Sequence, residues 1–327
     1  MSNARRRALR AWRPSADQMK QWPTVSGNAI NGLGEKDARR PSPVFWHPPD
    51  TIPHGPVMRF FYAQPQPPEV AEARRARLEM EAIPAAPLAA EAVERSPEAW
   101  SAAIKQQAKL CGADVVGITR MRQEWVFEGH TVPQKWIIVL GVEMDYEELR
   151  HAPEGRAAAE VHRQYGRGIG AAKKLANWLR EQGHDAFGYG GPQAGSFVMI
   201  PPAIEAGLGE LGKHGSLINR ELGSSFRLAC VLTDLPLVAD RPDIFGADDF
   251  CTHCRLCMDE CPPDALAPQK QWVRGVERWY VDFDKCLPYF AEHHGCAICL
   301  AVCPWSRPGV AENLLVKLGE RRARGGS

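Results

Sequence analysis

The cysteine-rich segment at residues 251–303 decides how the C-terminal part of this chain folds. Its first half reads CTHCRLCMDECP at residues 251–262, and its second half ends with CAICLAVCP at residues 296–304. Both halves contain the spacing Cys-x2-Cys-x3-Cys-Pro, and a separate cysteine, Cys286, precedes the second half. Eight cysteines arranged as a repeat predict two related metal-binding sites.

The spacing is that of bacterial ferredoxins, in which three cysteines of one run bind one [4Fe–4S] cluster and the fourth, before proline, binds the other. A tight loop can supply three thiolates, but the fourth must come from elsewhere in the chain. The crossed arrangement therefore predicts two [4Fe–4S] clusters. The expected ligands of cluster one are Cys251, Cys254, Cys257 and Cys303, and those of cluster two are Cys261, Cys286, Cys296 and Cys299.

Two other uses of these cysteines stay open at this point. Tetrahedral zinc sites take separated Cys-x2-Cys pairs, and a run of three cysteines before Cys-Pro is not that pattern. Disulfides would need an oxidising compartment and are usual in small secreted chains. The remaining cysteines, Cys111 and Cys230, lie in apolar segments and are interpreted as core residues.

The composition of the 327 residues is that of an ordinary globular protein, with 44% hydrophobic and 24% charged residues. The net charge of +1 indicates neither a nucleic-acid nor a membrane partner. No run of about 18 apolar residues predicts a membrane span, and no apolar segment of the signal-peptide kind follows the arginines at positions 5–7. We therefore expect a cytoplasmic protein with reduced thiols.

Residues 1–95 are expected to form a proline-rich N-terminal arm. The prolines disfavour long helices and central strands, whereas the high aromatic content disfavours a free linker. We expect an extended arm packed over the main domain, with a short helix near residues 70–81. Residues 309–327 are expected to be a C-terminal tail with a frayed Arg-Gly-Gly-Ser end.

The main domain is expected at residues 96–245, followed by a ferredoxin-like domain at residues 246–308. Ser96 is a good N-cap for a first helix, after which apolar residues recur at helical spacing. Continuous apolar runs predict buried core strands. These runs lie at residues 114–119, 135–143 and 227–233. Helices that alternate with such strands predict an α/β (α+β) layer structure.

Glycines interrupt two further segments. Residues 154–182 have a helical pattern, but the glycines at positions 166, 168 and 170 predict a kink or two helices. Residues 206–215, AGLGELGKHG, contain four glycines and form either a loop against a large cofactor or a structural turn. This loop is not a dinucleotide-binding fingerprint, because no strand leads directly into it.

Five segments in order resemble a known superfamily. They are DVVGIT at 114–119, the loop at 206–215, Ser225-Phe-Arg227, TDLPL at 233–237 and the split cysteine motif ending Cys303-Pro-Trp305. Over about residues 96–308 the chain resembles the cobalamin-dependent reductive dehalogenases and their relatives, the epoxyqueuosine reductases. The resemblance implies a nitroreductase-like domain that binds a corrinoid through the loop residues Gly207, Gly209, Gly212 and Lys213, and a ferredoxin-like domain that supplies electrons.

Reductive removal of a halide takes two electrons and one proton, and cobalamin in its reduced form is a strong nucleophile that low-potential clusters can generate. A tyrosine donates a proton more readily when a nearby cation stabilises its phenolate. The resemblance implies that Tyr165 is this donor and Arg227 this cation. Tyr165 is otherwise a core tyrosine and Arg227 a structural ion-pair residue. Tyr189, which we place in a glycine-rich turn, is the reserve donor.

Two histidines have weaker claims to a role. His162 lies one helical turn before Tyr165 and is interpreted as a solvated helix residue. His253 lies inside the first cysteine loop, where it would tune the hydrogen bonding of the cluster sulfurs.

The epoxyqueuosine reductases are the main alternative. They carry a catalytic aspartate in the segment before the glycine loop, which corresponds here to a position near Gln193, and residues 190–202 contain no carboxylate. Arg227 stands where that group has an uncharged aromatic residue. Both differences favour a small organohalide substrate over a nucleic acid, although the basic residues at 321–324 could contact RNA.

The resemblance also bears on the partners of the chain. We find neither the twin-arginine signal of respiratory dehalogenases nor the fused reductase module of some catabolic ones. A separate electron donor is therefore expected, such as a ferredoxin, a flavodoxin or a reductase. A third alternative is an electron carrier or corrinoid activator that has no substrate of its own.

Overall fold

A four-stranded antiparallel sheet is the centre of the main domain in the computed structural model, which describes residues 12–192 and 195–323. Its strands are β1 (Val115–Arg120), β2 (Trp136–Glu143), β3 (Ala186–Gly190) and β6 (Phe226–Thr233), in the order β1-β2-β6-β3. Ile138 of β2 lies opposite Ile118 of β1 and Val231 of β6. The strands predicted at 114–119, 135–143 and 227–233 are confirmed, and their antiparallel pairing makes the domain α+β.

The remaining strands form two hairpins, β4 (Glu210–Leu211) with β5 (Leu217–Ile218) and β7 (Gln271–Val273) with β8 (Val276–Arg278). The described helices are α1 (Ala16–Lys20), α2 (Gly27–Asn31), α3 (Gly55–Ala63), α4 (Pro68–Glu81), α5 (Pro97–Leu110), α6 (Tyr146–Leu149), α7 (Gly155–Glu181), α8 (Ile200–Glu205), α9 (Ala247–His253), α10 (Leu256–Asp259), α11 (Phe283–Glu292), α12 (Ile298–Ala301) and α13 (Val310–Ala323). None of the described helices combines the length and the apolar character that crossing a membrane requires.

The two faces of the sheet are covered by different helices. On one face, Trp100 and Ile104 of α5 and Leu175 of α7 pack against the sheet in one buried cluster. On the other face, Ala203 of α8 packs with Ile137 in a second cluster. The Ser96 hydroxyl accepts a hydrogen bond from the backbone N–H of Ala99, so the predicted N-cap of α5 is confirmed.

Helix α7 is a single uninterrupted helix, so the prediction of a kink or of two helices is wrong. The glycines do not break the helix because neighbouring elements use the space that their missing side chains leave. A Cβ at Gly166 would lie 3.2 Å from Cα of Arg77 on α4, and one at Gly168 would lie 3.3 Å from Cβ of Ala229 on β6. Close packing on both sides offsets the low helix propensity of glycine.

Strand β3 was not predicted from the sequence. Tyr189 lies within this strand and not in a turn. The strand is short and contains two glycines, and Gly188 lets its backbone approach α7 so closely that a Cβ there would be 2.6 Å from the carbonyl carbon of Ala172. A short glycine-containing strand has no apolar run by which its sequence could reveal it.

The N-terminal arm is more ordered than an extended chain. It contains α1 to α4, and α4 spans the helix predicted near residues 70–81. Phe45 and Phe61 of the arm pack with Leu287 of the C-terminal part, where the Gln18 side chain also donates a hydrogen bond to the Pro288 carbonyl (2.8 Å). The arm therefore contacts the cysteine-rich part as well as the main domain.

The segment after residue 309 forms α13, so most of the expected tail is helical. Leu314, Leu315 and Leu318 pack against a buried cluster that contains Trp305 and Cys303. The Arg-Gly-Gly-Ser end lies outside the described residues.

Candidate active site

The eight motif cysteines lie on short helices and loops of the C-terminal part, and all ten cysteines of the chain are free thiols. Burial, followed by the neighbouring thiols of Cys303, Cys251 and Cys254, raises the pKa of Cys257 to about 12. Burial raises the pKa of Cys286 as well, and the neighbouring thiols here are those of Cys296 and Cys261.

Cys299 has neighbours among both sets of cysteines. Its pKa is raised by burial and then by the nearby thiols of Cys286, Cys257, Cys261 and Cys303. The two sets therefore adjoin, as redox centres must if electrons are to pass between them. The assignment of four ligands to each cluster stays a prediction.

A single metal ion and a [4Fe–4S] cluster need different arrangements of the thiols that bind them. In the part of the chain that the structure describes, no three His, Cys, Asp or Glu side chains converge in a way that would hold one metal ion. A tetrahedral zinc site requires such convergence. In a [4Fe–4S] cube each thiolate binds a different iron atom, so the sulfurs surround a volume and do not meet at one point.

Glu210, in the glycine loop, supports the first cysteine segment, a role that no local sequence pattern indicates. This carboxylate is 9% exposed and accepts hydrogen bonds from the backbone N–H groups of Phe245 (2.8 Å), Gly246 (2.6 Å) and Ala247 (2.9 Å). These groups form the start of α9, which carries Cys251. A negative charge at a helix N-terminus satisfies unpaired N–H groups and complements the helix dipole.

Lys213 joins the same loop to the same segment. Its Nζ donates to the Cys254 carbonyl (2.9 Å), and its backbone N–H donates to Sγ of Cys251 (3.5 Å). The side chain is 2% exposed and lies 4.8 Å from the ring centroid of Trp279. Lys213 was expected to contact a corrinoid. In the structure it contacts Cys251 and Cys254, two of the expected ligands of cluster one.

The three glycines expected to contact a corrinoid lie close to protein atoms. A Cβ at Gly207 would be 2.6 Å from the Arg241 carbonyl oxygen, and one at Gly209 would be 2.0 Å from that of Ile218. A Cβ at Gly212 would be 2.6 Å from the His214 ring. These approaches explain the glycines as elements of a tight loop, and their contact with a corrinoid stays a prediction.

Replacing Glu210 by alanine should lower the free energy of unfolding by about 2 kcal/mol or more, because at least three buried N–H groups would lose their charged acceptor. Iron retention should fall with it, because α9 would no longer be held in place. Denaturant titration and iron analysis of the reconstituted protein measure both effects. The exposed Glu221, replaced in the same way, is the matched control, and an equal loss there would contradict the capping role.

The structure brings Tyr165 and Arg227 together. Tyr165 lies on α7 and Arg227 on β6, and the guanidinium carbon of Arg227 is 5.4 Å from the centroid of the Tyr165 ring. The Nε atom of Arg227 is buried and has no hydrogen-bond partner. A cation therefore lies over the face of the tyrosine ring. The roles of Tyr165 as proton donor and of Arg227 as its stabilising cation stay predictions.

Among the described residues, further buried polar atoms without a hydrogen-bond partner lie near Tyr165 or Arg227 in sequence, or on helix α4. They are Nδ1 of His162, Oε1 of Gln164, Oγ of Ser225, and Nε of Arg74 and of Arg77. Buried polar groups are nearly always hydrogen-bonded, so atoms such as these require water or a bound ligand as their partner. The interpretation of His162 as a solvated residue is wrong, because its Nδ1 atom is buried. Burial, and then the charges of Arg77, Arg74 and Arg227, lower its pKa to about 4.

Three residues of the arm contribute to this region although their sequence position did not indicate it. They are Tyr62 of α3 and Arg74 and Arg77 of α4. These residues line a cavity of about 500 Å³ together with Tyr189. Tyr189, the reserve donor, lines this cavity, whereas neither Tyr165 nor Arg227 is among its lining residues. His253 is exposed on α9, and Gln193 lies outside the described residues.

Comparisons with known proteins show which families this chain resembles. Residues 250–306 match the 4Fe-4S dicluster domain family. The tetrachloroethene reductive dehalogenase of Desulfitobacterium hafniense is 33% identical over 209 residues, which cover 60% of this chain and 37% of that protein. The epoxyqueuosine reductase of Leadbetterella byssophila is 37% identical over 121 residues, which cover 32% of this chain and 35% of that protein.

Among solved structures, the catabolic reductive dehalogenase NpRdhA in complex with 3-bromo-4-hydroxybenzoic acid superposes with a TM-score of 0.73 and 25% identity, over 94% of this chain and 48% of that one. The chain spans about a third of the length of the curated relatives named above and about half of this solved one. The chain therefore resembles the reductive dehalogenases and the epoxyqueuosine reductases, as its sequence predicted, and it carries a C-terminal ferredoxin-like 4Fe-4S dicluster domain.

Proposed function

We propose that this chain is a corrinoid- and iron–sulfur-dependent reductase that removes a halide ion from an organohalide. The observation that carries the proposal is the guanidinium of Arg227 over the ring of Tyr165, together with the buried Nε of Arg227, which has no hydrogen-bond partner. The similarity to reductive dehalogenases and the dicluster match support it.

Two kinds of cofactor are implied. The two cysteine sets would bind the [4Fe–4S] clusters, with Cys251, Cys254, Cys257 and Cys303 on one and Cys261, Cys286, Cys296 and Cys299 on the other. The glycine loop and the unpaired polar atoms near Tyr165 would hold a cobalamin, whose rim of amides offers acceptors and donors to such atoms. When bound, cobalamin supplies a low-potential centre for cleavage of the carbon–halogen bond.

Side chains of this protein would supply the proton for the reaction. The overall reaction joins an organohalide with two electrons and one proton and yields the reduced compound and a halide ion. The Tyr165 hydroxyl would donate the proton, and the adjacent positive charge of Arg227 would stabilise the phenolate that remains. His162 is neutral near pH 7, because its pKa is lowered to about 4, so it is not the acid.

The electrons would enter from a separate donor and pass through the two adjoining clusters. A ferredoxin, a flavodoxin or a reductase would serve as this partner, and we place the protein in the cytoplasm. The alternatives are a tRNA-modifying epoxyqueuosine reductase and an electron carrier or corrinoid activator without a substrate.

The test is an anaerobic assay of the reconstituted protein with a chemical reductant. We expect release of halide from a halogenated phenol and no conversion of epoxyqueuosine in tRNA. Queuosine formation without halide release would contradict the proposal, and so would the absence of both activities in protein that retains its cofactors.

A further inference from the structure

Lys213 lies in the turn that connects β4 and β5, and this hairpin fixes its position. The backbone N–H of Gly212 donates to the Ser216 carbonyl (2.8 Å), which closes the turn. The lysine is buried, and it donates from its backbone N–H to Sγ of Cys251 and from Nζ to the Cys254 carbonyl. The hairpin therefore holds Lys213 against two expected ligands of cluster one.

The positive charge of Lys213 is not neutralised by the protein groups that surround it. Its Nζ atom contacts a carbonyl oxygen and the aromatic face of Trp279. Glu210, the carboxylate of the same loop, is engaged by the backbone N–H groups at the start of α9. A buried charge is costly unless an opposite charge compensates it. A cluster bound by four thiolates is anionic, so Lys213 fits such a group beside the first cysteine segment.

Two other lysines near the cysteine segments differ from Lys213 in this respect. Lys270 lies 5.6 Å from the centroid of the same Trp279 ring, but it is partly exposed and pairs with Asp248 at 2.6 Å. No ion pair among the described residues involves Lys213, whereas Lys285, next to a ligand of cluster two, is paired and mostly exposed. Because water and a paired carboxylate weaken the effect of a charge, Lys213 should act on its cluster more strongly than either of them.

We propose that Lys213 raises the reduction potential of cluster one by acting as its buried counter-charge. Reduction adds one electron, and hence one negative charge, to a cluster that is already anionic. A fixed positive charge stabilises the reduced form more than the oxidised form, and the buried setting strengthens this effect. The inference goes beyond the proposed function, because it concerns how the protein accepts electrons and needs no substrate. It uses the assignment of Cys251 and Cys254 to cluster one.

A redox titration with sodium dithionite, followed by EPR, tests this inference on the full chain reconstituted with its cofactors. The signal that is absent from Cys257→Ala identifies cluster one. Lys213→Met keeps most of the side chain and removes its charge. At a given potential we expect this variant to have about a tenfold lower ratio of reduced to oxidised cluster one, a shift of about 59 mV for a one-electron couple. The potential of cluster two should change much less, because a charge acts more weakly at a greater distance.

Three further variants separate the charge from the other properties of the side chain. Lys213→Arg keeps the charge and should keep a potential close to that of the unaltered protein. Lys213→Gln keeps a hydrogen-bond donor without the charge and should behave like Lys213→Met. Lys270→Met is the matched control, because it removes a lysine from the same Trp279 ring whose charge is already paired. Its effect on cluster one should be much smaller.

Three results would overturn the inference. They are an unchanged potential of cluster one in both neutral variants, an equal shift of both clusters, and an equal shift in Lys270→Met. Iron analysis and circular dichroism show whether each variant retains its clusters and its fold. If one neutral variant loses cluster one, the other decides.

Loss of cluster one in both neutral variants, with retention in Lys213→Arg, would support the counter-charge role. Loss of cluster one in all three Lys213 variants would show a purely structural role and overturn the inference. Halide release has no part in this measurement, so its outcome is independent of the proposed function.

Discussion

Replacing Tyr165 by phenylalanine is expected to lower the rate of halide release by about 10²- to 10⁴-fold, the usual contribution of a positioned acid. The substitution removes one oxygen atom and keeps the ring, so the contact with Arg227 and the packing of α7 should persist. Both clusters and the corrinoid should stay bound. Single-turnover kinetics, with iron and cobalt analysis of the same sample, measure the two expectations together.

Tyr146→Phe is the matched control, because the Tyr146 hydroxyl donates to the Ala301 carbonyl at 3.3 Å and has no place in the proposed site. Its rate should be close to that of the unaltered protein. Unchanged turnover in Tyr165→Phe would remove Tyr165 from the mechanism.

Substitutions of Arg227 test the same proton-donation step. Arg227→Gln removes the charge that would stabilise the phenolate, whereas Arg227→Lys keeps it, so the lysine variant should retain more activity. Because the two residues are expected to act as a unit, the double variant should lose little more than either single variant. Losses that multiply would show that Tyr165 and Arg227 act independently.

Single replacements of the eight cysteines should fall into two classes, according to which cluster is lost. Each class should contain cysteines from both halves of the motif. Alanine at Cys257 or Cys303 should impair one cluster, and alanine at Cys261 or Cys286 should impair the other, because the fourth ligand of each cluster comes from the opposite half of the motif. Each variant should lose up to about four of the roughly eight iron atoms.

Anaerobic EPR spectra of the reduced variants show which cluster signal is lost. Cys257→Ala and Cys303→Ala should share one spectrum, and Cys261→Ala and Cys286→Ala should share the other. Cys230→Ala is the control, since this buried thiol lies in the main sheet. If Cys257→Ala and Cys261→Ala lost the same signal, the crossed assignment would be wrong.

The fold could be predicted where one segment carries its own pattern. The apolar run of β2, the capped start of α5 and the helix α4 were all evident from local sequence. The prediction failed at α7 and β3, where glycines serve packing between elements distant in sequence. Gly166 is needed because the backbone of Arg77 packs against it, and Gly188 because the backbone of Ala172 does. No local sequence pattern reveals such neighbours.

In the candidate site, too, local sequence patterns revealed some residues, and others became evident only from tertiary contacts. The order of the family segments led to the choice of Tyr165 and Arg227, and the structure places the guanidinium of Arg227 over the ring of Tyr165. Their proposed roles stay predictions. Glu210 was missed because its role depends on tertiary contacts. Glu210 caps a helix more than thirty residues later in the chain, and a buried carboxylate within a glycine loop carries no local sign of that role.

The central claim is that clusters and a corrinoid share one electron path, and anaerobic reconstitution with iron, sulfide and hydroxocobalamin tests it most directly. Metal analysis and EPR should find about eight iron atoms and about one cobalamin per chain, with two low-potential [4Fe–4S] signals. Protein that binds the iron but no cobalamin would contradict the account, and would indicate an electron carrier.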